Sequence, residues 1–311
     1  MTTRRVGSRI KEAILPAVDL ALNDSNLANP FSLFLTHSSK LKLTTGERVE
    51  VSPSQRNGLR NLARLMSGYG VEVRVKSGVD ETAWKLDPER GVVTTPSGLN
   101  FTLDSVDPGI FSETFIYETH FVDFDLSNLT IVEAGGFVGD TGLYYAQHGA
   151  RVITLEPDPI NFARLQRNLL INRDIADKIT PVNAAIGADG DMSFTIGKGG
   201  GSSKFGTRGI KTPVKSYSIG TILKRFDITS PFLLALDVKG SEPEVLADSA
   251  ISEFERFRME YCFTYWPPHP LRSVGAIKSV LHDRGFRKVR FFKHIKSPLP
   301  LREHGTIEAT K

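Results

Sequence analysis

The chain has 311 residues, of which 40% are hydrophobic and 24% are charged, an ordinary balance for a globular protein that buries a sizeable core. Its formal net charge of +4 is mild, and the basic residues are scattered apart from a cluster at residues 284–294. A single cysteine, Cys262, excludes a disulfide framework and a cysteine metal cluster.

No stretch of the sequence reaches the roughly 18 apolar residues of a membrane span. Basic residues near the N-terminus precede an apolar stretch, but Pro16 and Asp19 interrupt it. This pattern predicts a short helix rather than a signal peptide. We therefore expect a cytoplasmic protein without a membrane span.

Residues 1–106 read as a small α+β domain. Residues 40–51 alternate in polarity on both sides of Thr45-Gly46, which predicts a hairpin. Ser52 and Pro53 are suited to the start of a helix, and residues 71–75 to a strand. A second hairpin is predicted around residues 96–98.

From residue 107 to residue 311 the pattern changes to alternating strands and helices, which predicts an α/β domain with a parallel sheet. The last two predicted strands, 286–292 and 305–310, leave no room for a crossover helix and should pair antiparallel. The other predicted strands are 130–133, 151–155, 179–183, 232–238 and 257–263.

A glycine-rich turn follows the first strand of this domain, in Glu133-Ala-Gly-Gly-Phe-Val-Gly-Asp-Thr141. Glycines let the backbone approach a ligand that a Cβ atom would repel, and open α/β sheets bind ligands at this edge. Glu156 ends the next strand, where its carboxylate could accept hydrogen bonds from a ribose diol. Asp158 suits the N-cap of the following helix, which Pro159 begins.

Polar residues also end the next two strands. Asn183-Ala184-Ala185 could border an adenine, although asparagine at a strand end also serves turns. Asp237, Lys239 and Glu242 follow the fourth strand and are candidates for the reactive end of the site. Asp237 could act as a general base, and Glu242 is either a competitor for that role or an acid that stabilises a helix N-terminus.

The seven histidines include no pair at the i, i+4 spacing of a metal site, and no zinc-type motif is present, so we expect no metal. His120 and His269 flank the predicted sheet edge and could take a proton from a hydroxyl group. Each also suits a packing or surface role.

Together these motifs, with a seven-stranded sheet ending in an antiparallel hairpin, resemble class I methyltransferases and, within them, the FkbM family. The resemblance covers about residues 107–310. It rests on Glu133–Thr141, Glu156–Pro159, Asn168–Asn172, Asn183–Ile186, the loop Gly201-Ser-Ser203, and Asp237–Glu242. Lys239 departs from the family pattern, which has an acid there, and could contact an anionic acceptor or pair with Glu242.

The resemblance implies a Rossmann-like fold and S-adenosylmethionine as cofactor. The implied cofactor-binding residues are Glu133, Gly135, Gly136, Phe137, Gly139, Asp140, Thr141, Glu156, Pro157, Asn183, Ala184, Ala185 and Asp237. The candidate catalytic residues are Asp237, Lys239, Glu242, His120 and His269. The Asp-Pro-Pro-Tyr motif of amine-methylating relatives is absent, which favours a hydroxyl acceptor on a sugar, lipid or small metabolite. An RNA methyltransferase and a non-catalytic nucleotide-binding protein stay open as alternatives.

Overall fold

The computed structural model describes residues 40–42, 48–50, 85–87, 90–95, 97–115, 125–196, 204–205, 210–266, 268–294 and 299–311. Contacts divide the chain into two units, Met1–Asp123 and Phe124–Lys311. The helix predicted from Ser52 and the strand predicted at 71–75 lie outside the described residues. None of the helices in the described ranges has the length and apolar character needed to cross a bilayer.

The first unit contains two small antiparallel sheets. Strands β1 (Lys40–Lys42) and β2 (Arg48–Glu50) form the first predicted hairpin. The second sheet has the order β3 (Lys85–Asp87), β4 (Val92–Thr94) and β5 (Asn100–Thr102), so the second predicted hairpin is also confirmed. Helix α1 (Pro108–Phe115) follows, and its Phe111 and Phe115 rings pack on Phe101 at centroid distances of 4.9 and 5.5 Å.

The second unit is built on the predicted seven-stranded α/β sheet. Its strands are β6 (Thr130–Ala134), β7 (Arg151–Leu155), β8 (Ile179–Val182), β13 (Pro231–Leu236), β14 (Arg256–Cys262), β15 (Lys288–Lys293) and β16 (His304–Thr310). Their order across the sheet is β15-β16-β14-β13-β6-β7-β8. The five strands from β14 to β8 in this order are parallel, whereas β16 pairs antiparallel with both β14 and β15. The antiparallel tail and the class I methyltransferase sheet are therefore confirmed.

Helices cover this sheet and bury its apolar side chains. The central strand β13 is buried along nearly its whole length, and Leu234 lies beside Val132 of β6 and Phe257 of β14. The helices are α2 (Asp140–Gln147), α3 (Pro159–Ile171), α4 (Arg173–Ala176), α5 (Ile219–Arg225), α6 (Glu242–Ala247) and α7 (Val274–Asp283). As predicted, Asp158 caps α3, since its side chain accepts hydrogen bonds from the Ile160 and Asn161 N–H groups.

A second sheet lies between β8 and α5 in the chain, and the sequence analysis did not predict it. Its order is β11-β10-β12-β9, with β9 (Ala185–Ile186), β10 (Gly190–Ile196), β11 (Lys204–Phe205) and β12 (Ile210–Tyr217). Ala185, Phe194 and Val214 form a small core of their own. This region is rich in polar residues and glycine. Because its strands contain few apolar residues, no clear alternating pattern marks them in the sequence.

Candidate active site

The turn after β6 places two glycines against the ends of neighbouring strands and a third against helix α3. A Cβ atom on Gly135 would lie 2.1 Å from the backbone oxygen of Asp237, and Gly135 has a φ of +90°. A Cβ atom on Gly136 would lie 2.1 Å from Thr154 Oγ1. Gly139, with a φ of +85°, precedes α2. Gly135 is therefore required by the close approach of the backbone after β13, and Gly136 by the Thr154 side chain, so the turn lies directly against the end of β13.

Glu133 lies near the end of β6, just before this turn, and its Oε2 faces α2, where a Cβ atom on Gly142 would lie 3.0 Å from it. Its side chain is buried, and Oε2 has no hydrogen-bond partner among the residues that the structure describes. Burial raises the pKa of Glu133 to about 8; the Thr154 hydroxyl opposes this shift, and the Asp140 and Asp237 charges add to it. A buried carboxylate with an unfilled acceptor is costly unless a ligand completes it. The site therefore fits a ligand that carries a cationic or hydrogen-bond-donating group beside Glu133.

Glu156, at the end of β7, braces the glycine turn. Its Oε2 accepts a hydrogen bond from the Phe137 N–H and its Oε1 accepts one from the Asp158 N–H, both at 2.8 Å. Burial raises the pKa of Glu156 to about 8, and these N–H groups oppose the shift. Phe137 has a positive φ of 44°, so the carboxylate stabilises a conformation that few residues with side chains adopt.

Two asparagine side chains stabilise the backbone of the same region by hydrogen bonds. Asn183 donates a hydrogen bond from Nδ2 to the backbone oxygen of Glu156 at 2.8 Å, with Pro157 O at 3.4 Å, and so joins the ends of β7 and β8. Asn168 of α3 is fully buried and donates to Val138 O at 2.8 Å. The backbone of the pocket floor is thus held by hydrogen bonds whose loss would leave buried carbonyl groups unpaired.

The end of β13 carries the reactive candidates. Lys239 Nζ contacts Asp237 Oδ1 and lies 2.8 Å from Glu260 Oε1. Burial lowers the pKa of Lys239, but the two carboxylates outweigh burial and hold the pKa well above its ordinary value. Lys239 is therefore an ammonium group at neutral pH. It pairs with Asp237 and Glu260 and not with Glu242, which corrects one of the two expectations for this residue.

Asp237 and Glu242 differ in their access to the pocket. The Asp237 side chain is 42% exposed, and partial desolvation with the nearby Glu260 charge raises its pKa, against the effect of Lys239. Glu242 is fully buried, and its Oε2 accepts a hydrogen bond from the Gly240 N–H at 2.6 Å. Burial raises the pKa of Glu242 to about 7. Glu242 thus holds the loop that carries Lys239, whereas Asp237 faces outward.

Three residues that the sequence analysis did not select lie beside Lys239. Glu260 of β14 has His304 Nε2 at 3.2 Å from its Oε1 and His294 Nε2 at 3.5 Å from its Oε2. The two imidazole rings stack with centroids 4.2 Å apart. The hairpin pairs Lys293 with Gly305, which brings His294, the residue after β15, beside His304, the first residue of β16. No pattern in the sequence indicates this register.

The predicted site residues fall into three groups. The turn from Glu133 to Gly139, Glu156 and Asp237 converge at the carboxyl edge of the sheet. Asp140 is buried at the start of α2, next to Thr141, and Ala184 and Ala185 are buried after β8. His269 is exposed and accepts a hydrogen bond from the Leu271 N–H at 3.2 Å. His120 and the loop Gly201–Ser203 lie outside the described residues.

Known structures with related folds are similar to this chain at low sequence identity. The methyltransferase FkbM from Methylobacillus flagellatus KT is 16% identical with a TM-score of 0.43, over 83% of this chain and 55% of that chain. Magnesium protoporphyrin IX methyltransferase from Synechocystis PCC 6803, solved with bound S-adenosylmethionine, is 15% identical with a TM-score of 0.38, over 60% and 72%. This chain thus spans little more than half the length of the FkbM structure. No curated protein sequence matches it.

A family model decides the relationship. The model of the methyltransferase FkbM domain matches residues 133–288, which is half of the chain. The match begins at Glu133, beside the glycine turn, and extends past the Asp237–Glu242 segment into β15. The chain belongs to the FkbM methyltransferase family.

Proposed function

We propose that the protein transfers a methyl group from S-adenosylmethionine to a hydroxyl oxygen of a sugar, a lipid or a small metabolite. The observation that carries the proposal is the contact between the glycine turn and the end of β13. A Cβ atom at Gly135 would lie 2.1 Å from Asp237 O, so the cofactor turn and an outward-facing carboxylate share one edge. Cofactor and acceptor would therefore meet without any rearrangement of the sheet.

The buried acids fit the charges of this cofactor. Glu133 offers an unfilled acceptor for the ammonium group of the methionine moiety. Glu156 holds the turn through the Phe137 N–H and its own loop through the Asp158 N–H, and the remaining lone pairs of its carboxylate suit the ribose diol. Asn183 and the small residues Ala184 and Ala185 leave room for the adenine. The bound cofactor supplies a methyl group on a cationic sulfonium, which makes that methyl group electrophilic.

The chain itself supplies alignment and a proton acceptor. Asp237 is the residue that we assign to the acceptor hydroxyl, because it is exposed and held in place by Lys239. The Lys239 ammonium favours the charged form of Asp237, which is the form that accepts a proton. Glu242 is enclosed by the protein and serves as a positioning residue for the loop. His269 lies on the exposed side of the segment after β14, where it could assist only a large acceptor.

The first test measures cofactor binding. Thermal shift and calorimetry with S-adenosylmethionine, with NAD as the competing nucleotide, should show binding of the former alone. Glu156→Ala should weaken that binding, because the turn loses the hydrogen bond from the Phe137 N–H and the loop after β7 loses the one from the Asp158 N–H. Absence of S-adenosylmethionine binding by the wild-type protein would end the proposal, and NAD binding would favour the non-catalytic nucleotide-binding alternative.

The second test identifies the acceptor. Labelled methyl transfer into fractionated host extract should place the label in a sugar, lipid or small-metabolite fraction. Asp237→Asn should reduce turnover by about 10²-fold or more while the cofactor still binds. Asp191→Asn is the matched control, because Asp191 is an exposed acid on β10 that pairs only with Lys215 in the described structure. Equal turnover of the two variants would remove Asp237 from the reaction.

An RNA acceptor is the competing outcome of the same experiment. Exposed basic residues lie on β15, among them Lys288 and Lys293. Strand β15 is the edge of the seven-stranded sheet, and lysine at an edge strand is also a common protection against unwanted strand pairing. Label recovered in an RNA fraction, with binding that weakens steeply as salt rises, would favour that alternative. The cytoplasmic location stays a prediction.

A further inference from the structure

We propose that Glu260, His294 and His304 form a divalent transition-metal site at the acceptor side of the pocket, with Zn²⁺ as the favoured ion. Each side chain offers one ligand atom, and these atoms lie within 4.8 Å of one another. Two imidazoles and one carboxylate are a common ligand set for catalytic zinc sites, which keep one position open. The open position would bind an oxygen of the acceptor, a role that rests on the proposed function.

The ligand atoms lie close enough to one another to close around an ion. A tetrahedral ion with bonds of about 2.0–2.1 Å separates its ligand atoms by about 3.3–3.4 Å. His304 Nε2 lies 3.2 Å from Oε1 of Glu260 and His294 Nε2 lies 3.5 Å from Oε2, and one ligand atom from each residue falls within 4.8 Å of the others. Because the two imidazoles face different oxygens of the carboxylate, an ion would draw the ligand atoms together by up to about 1.4 Å for a pair at that upper limit.

The surroundings also favour a cation. The three side chains are between 13% and 16% exposed, so the site is shielded but reachable. Asp237, Glu260 and Lys239 together carry one net negative charge, because two carboxylates face one ammonium. Lys239 Nζ lies 2.8 Å from Glu260 Oε1 and competes with a metal for that oxygen. Lys239 would keep its contact with Asp237 when the ion binds.

The position explains how such an ion would act on an acceptor. β14 and β13 are parallel, and Met259 of β14 lies beside Leu236, so Glu260 and Asp237 occupy the same level of the sheet edge. Lys239 bridges the two acids. A metal-bound oxygen of the acceptor would thus lie one side chain away from the carboxylate that we assign to the reacting hydroxyl. This arrangement suits an acceptor with two neighbouring oxygens, such as a sugar diol.

The experiment titrates the chelator-treated full-length protein with Zn²⁺ by calorimetry and with Co²⁺ by visible absorption. We expect one equivalent of ion to bind, with intense d–d bands from a low-symmetry Co²⁺ site. His304→Ala and His294→Ala should each weaken binding by about 100-fold or more. His148→Ala is the matched control, because His148 is exposed at the end of α2, away from the three ligands, and should bind as the wild type does.

A variant that binds Zn²⁺ more tightly distinguishes a metal site from variants that bind less because they are unfolded. Lys239→Met removes the ammonium that competes for Glu260 and should tighten Zn²⁺ binding by about tenfold or more, as expected when a cation that repels the metal is lost. Circular dichroism would verify that each variant is folded. The proposed site would be refuted if the wild-type protein bound no stoichiometric Zn²⁺. It would also be refuted if His148→Ala lost as much Zn²⁺ affinity as the ligand variants, or if Lys239→Met bound Zn²⁺ more weakly than the wild type.

The same samples are titrated with S-adenosylmethionine. Cofactor binding without metal binding would refute the metal site alone. Metal binding without cofactor binding would refute the proposed methyl transfer and leave the metal site standing.

Discussion

Replacing Glu133 with glutamine should abolish a proton release that accompanies S-adenosylmethionine binding to the wild-type protein. The folded, ligand-free protein holds this buried carboxyl largely protonated at neutral pH, because burial raises its pKa to about 8. An ammonium group placed beside Glu133 favours the charged carboxylate and lowers that pKa. The proton that Glu133 held must then leave, and the loss can be counted.

The expected number follows from the titration of both partners. With its pKa raised to about 8, Glu133 is mostly protonated at pH 7. The α-amino group of the ligand is mostly protonated at this pH and takes up about 0.1 of a proton when it binds as an ammonium. The wild-type protein should therefore show a net release of a large fraction of a proton per cofactor, whereas the glutamine variant should release none and take up about 0.1.

Calorimetry in several buffers measures this number directly. The slope of observed binding enthalpy against the ionisation enthalpy of the buffer gives the protons exchanged per cofactor bound. Glu156→Gln provides a comparison with the other buried acid of the pocket, whose carboxylate already receives two N–H groups. Equal slopes for the wild type and Glu133→Gln would refute the reasoning, because the proton would then come from another group.

Further predictions concern stability, with two variants in the frame of the pocket and one comparison variant on helix α7. Gly135→Ala should lower the free energy of unfolding by about 3 kcal/mol or more, since its Cβ atom would overlap the backbone at the end of β13 and its φ is +90°. Gly275→Ala, on helix α7 with no atom within 4 Å of a new Cβ, should instead raise stability by about 0.5–1 kcal/mol, and urea denaturation of both variants compares them. Asn168→Ala should cost about 1–3 kcal/mol in the same assay, because Val138 O loses its buried donor. Destabilisation of the Gly275 variant, or wild-type stability for the other two, would contradict these assignments.

The regular part of the fold could be predicted because its signals are local. Continuous apolar runs predicted the parallel strands. The segment of chain between β15 and β16 is too short for a crossover helix, so an antiparallel pair was predicted there. The four-stranded sheet from β9 to β12 was missed because its strands carry few apolar residues and pair at long range, as Gly190 does with Ser216. Local patterns contain little information on such pairings.

The candidate site was predicted better on the cofactor side than on the acceptor side. The glycine turn and Glu156 occupy consecutive strand ends, and parallel strands bring such ends together. Glu260 lies on β14, His304 begins β16 and His294 directly follows β15, so no spacing along the sequence relates them. The pairing of Lys239 with Glu260 was unpredictable for the same reason.

The two buried acids of the cofactor pocket show that hydrogen-bond partners, and not pKa values, separate a ligand-facing carboxylate from a structural one. The pKa of both Glu133 and Glu156 is raised to about 8 by burial. Such a group contributes stability that is present below its unfolded value of 4.5 and is lost as the pH rises through about 8. From the shifts alone, both glutamine variants should therefore stabilise the ligand-free protein at pH 8.

The contacts predict opposite outcomes for the two variants. Glu133 Oε2 has no partner in the described structure, so Glu133→Gln removes a buried charge and should raise stability at pH 8. Both oxygens of Glu156 accept backbone N–H groups, and a glutamine amide would point its own donor at one of them. Glu156→Gln should therefore lower stability by about 1–3 kcal/mol. Urea denaturation at pH 5 and pH 8 distinguishes the cases, and a stabilised Glu156→Gln protein would show that the turn does not depend on this carboxylate.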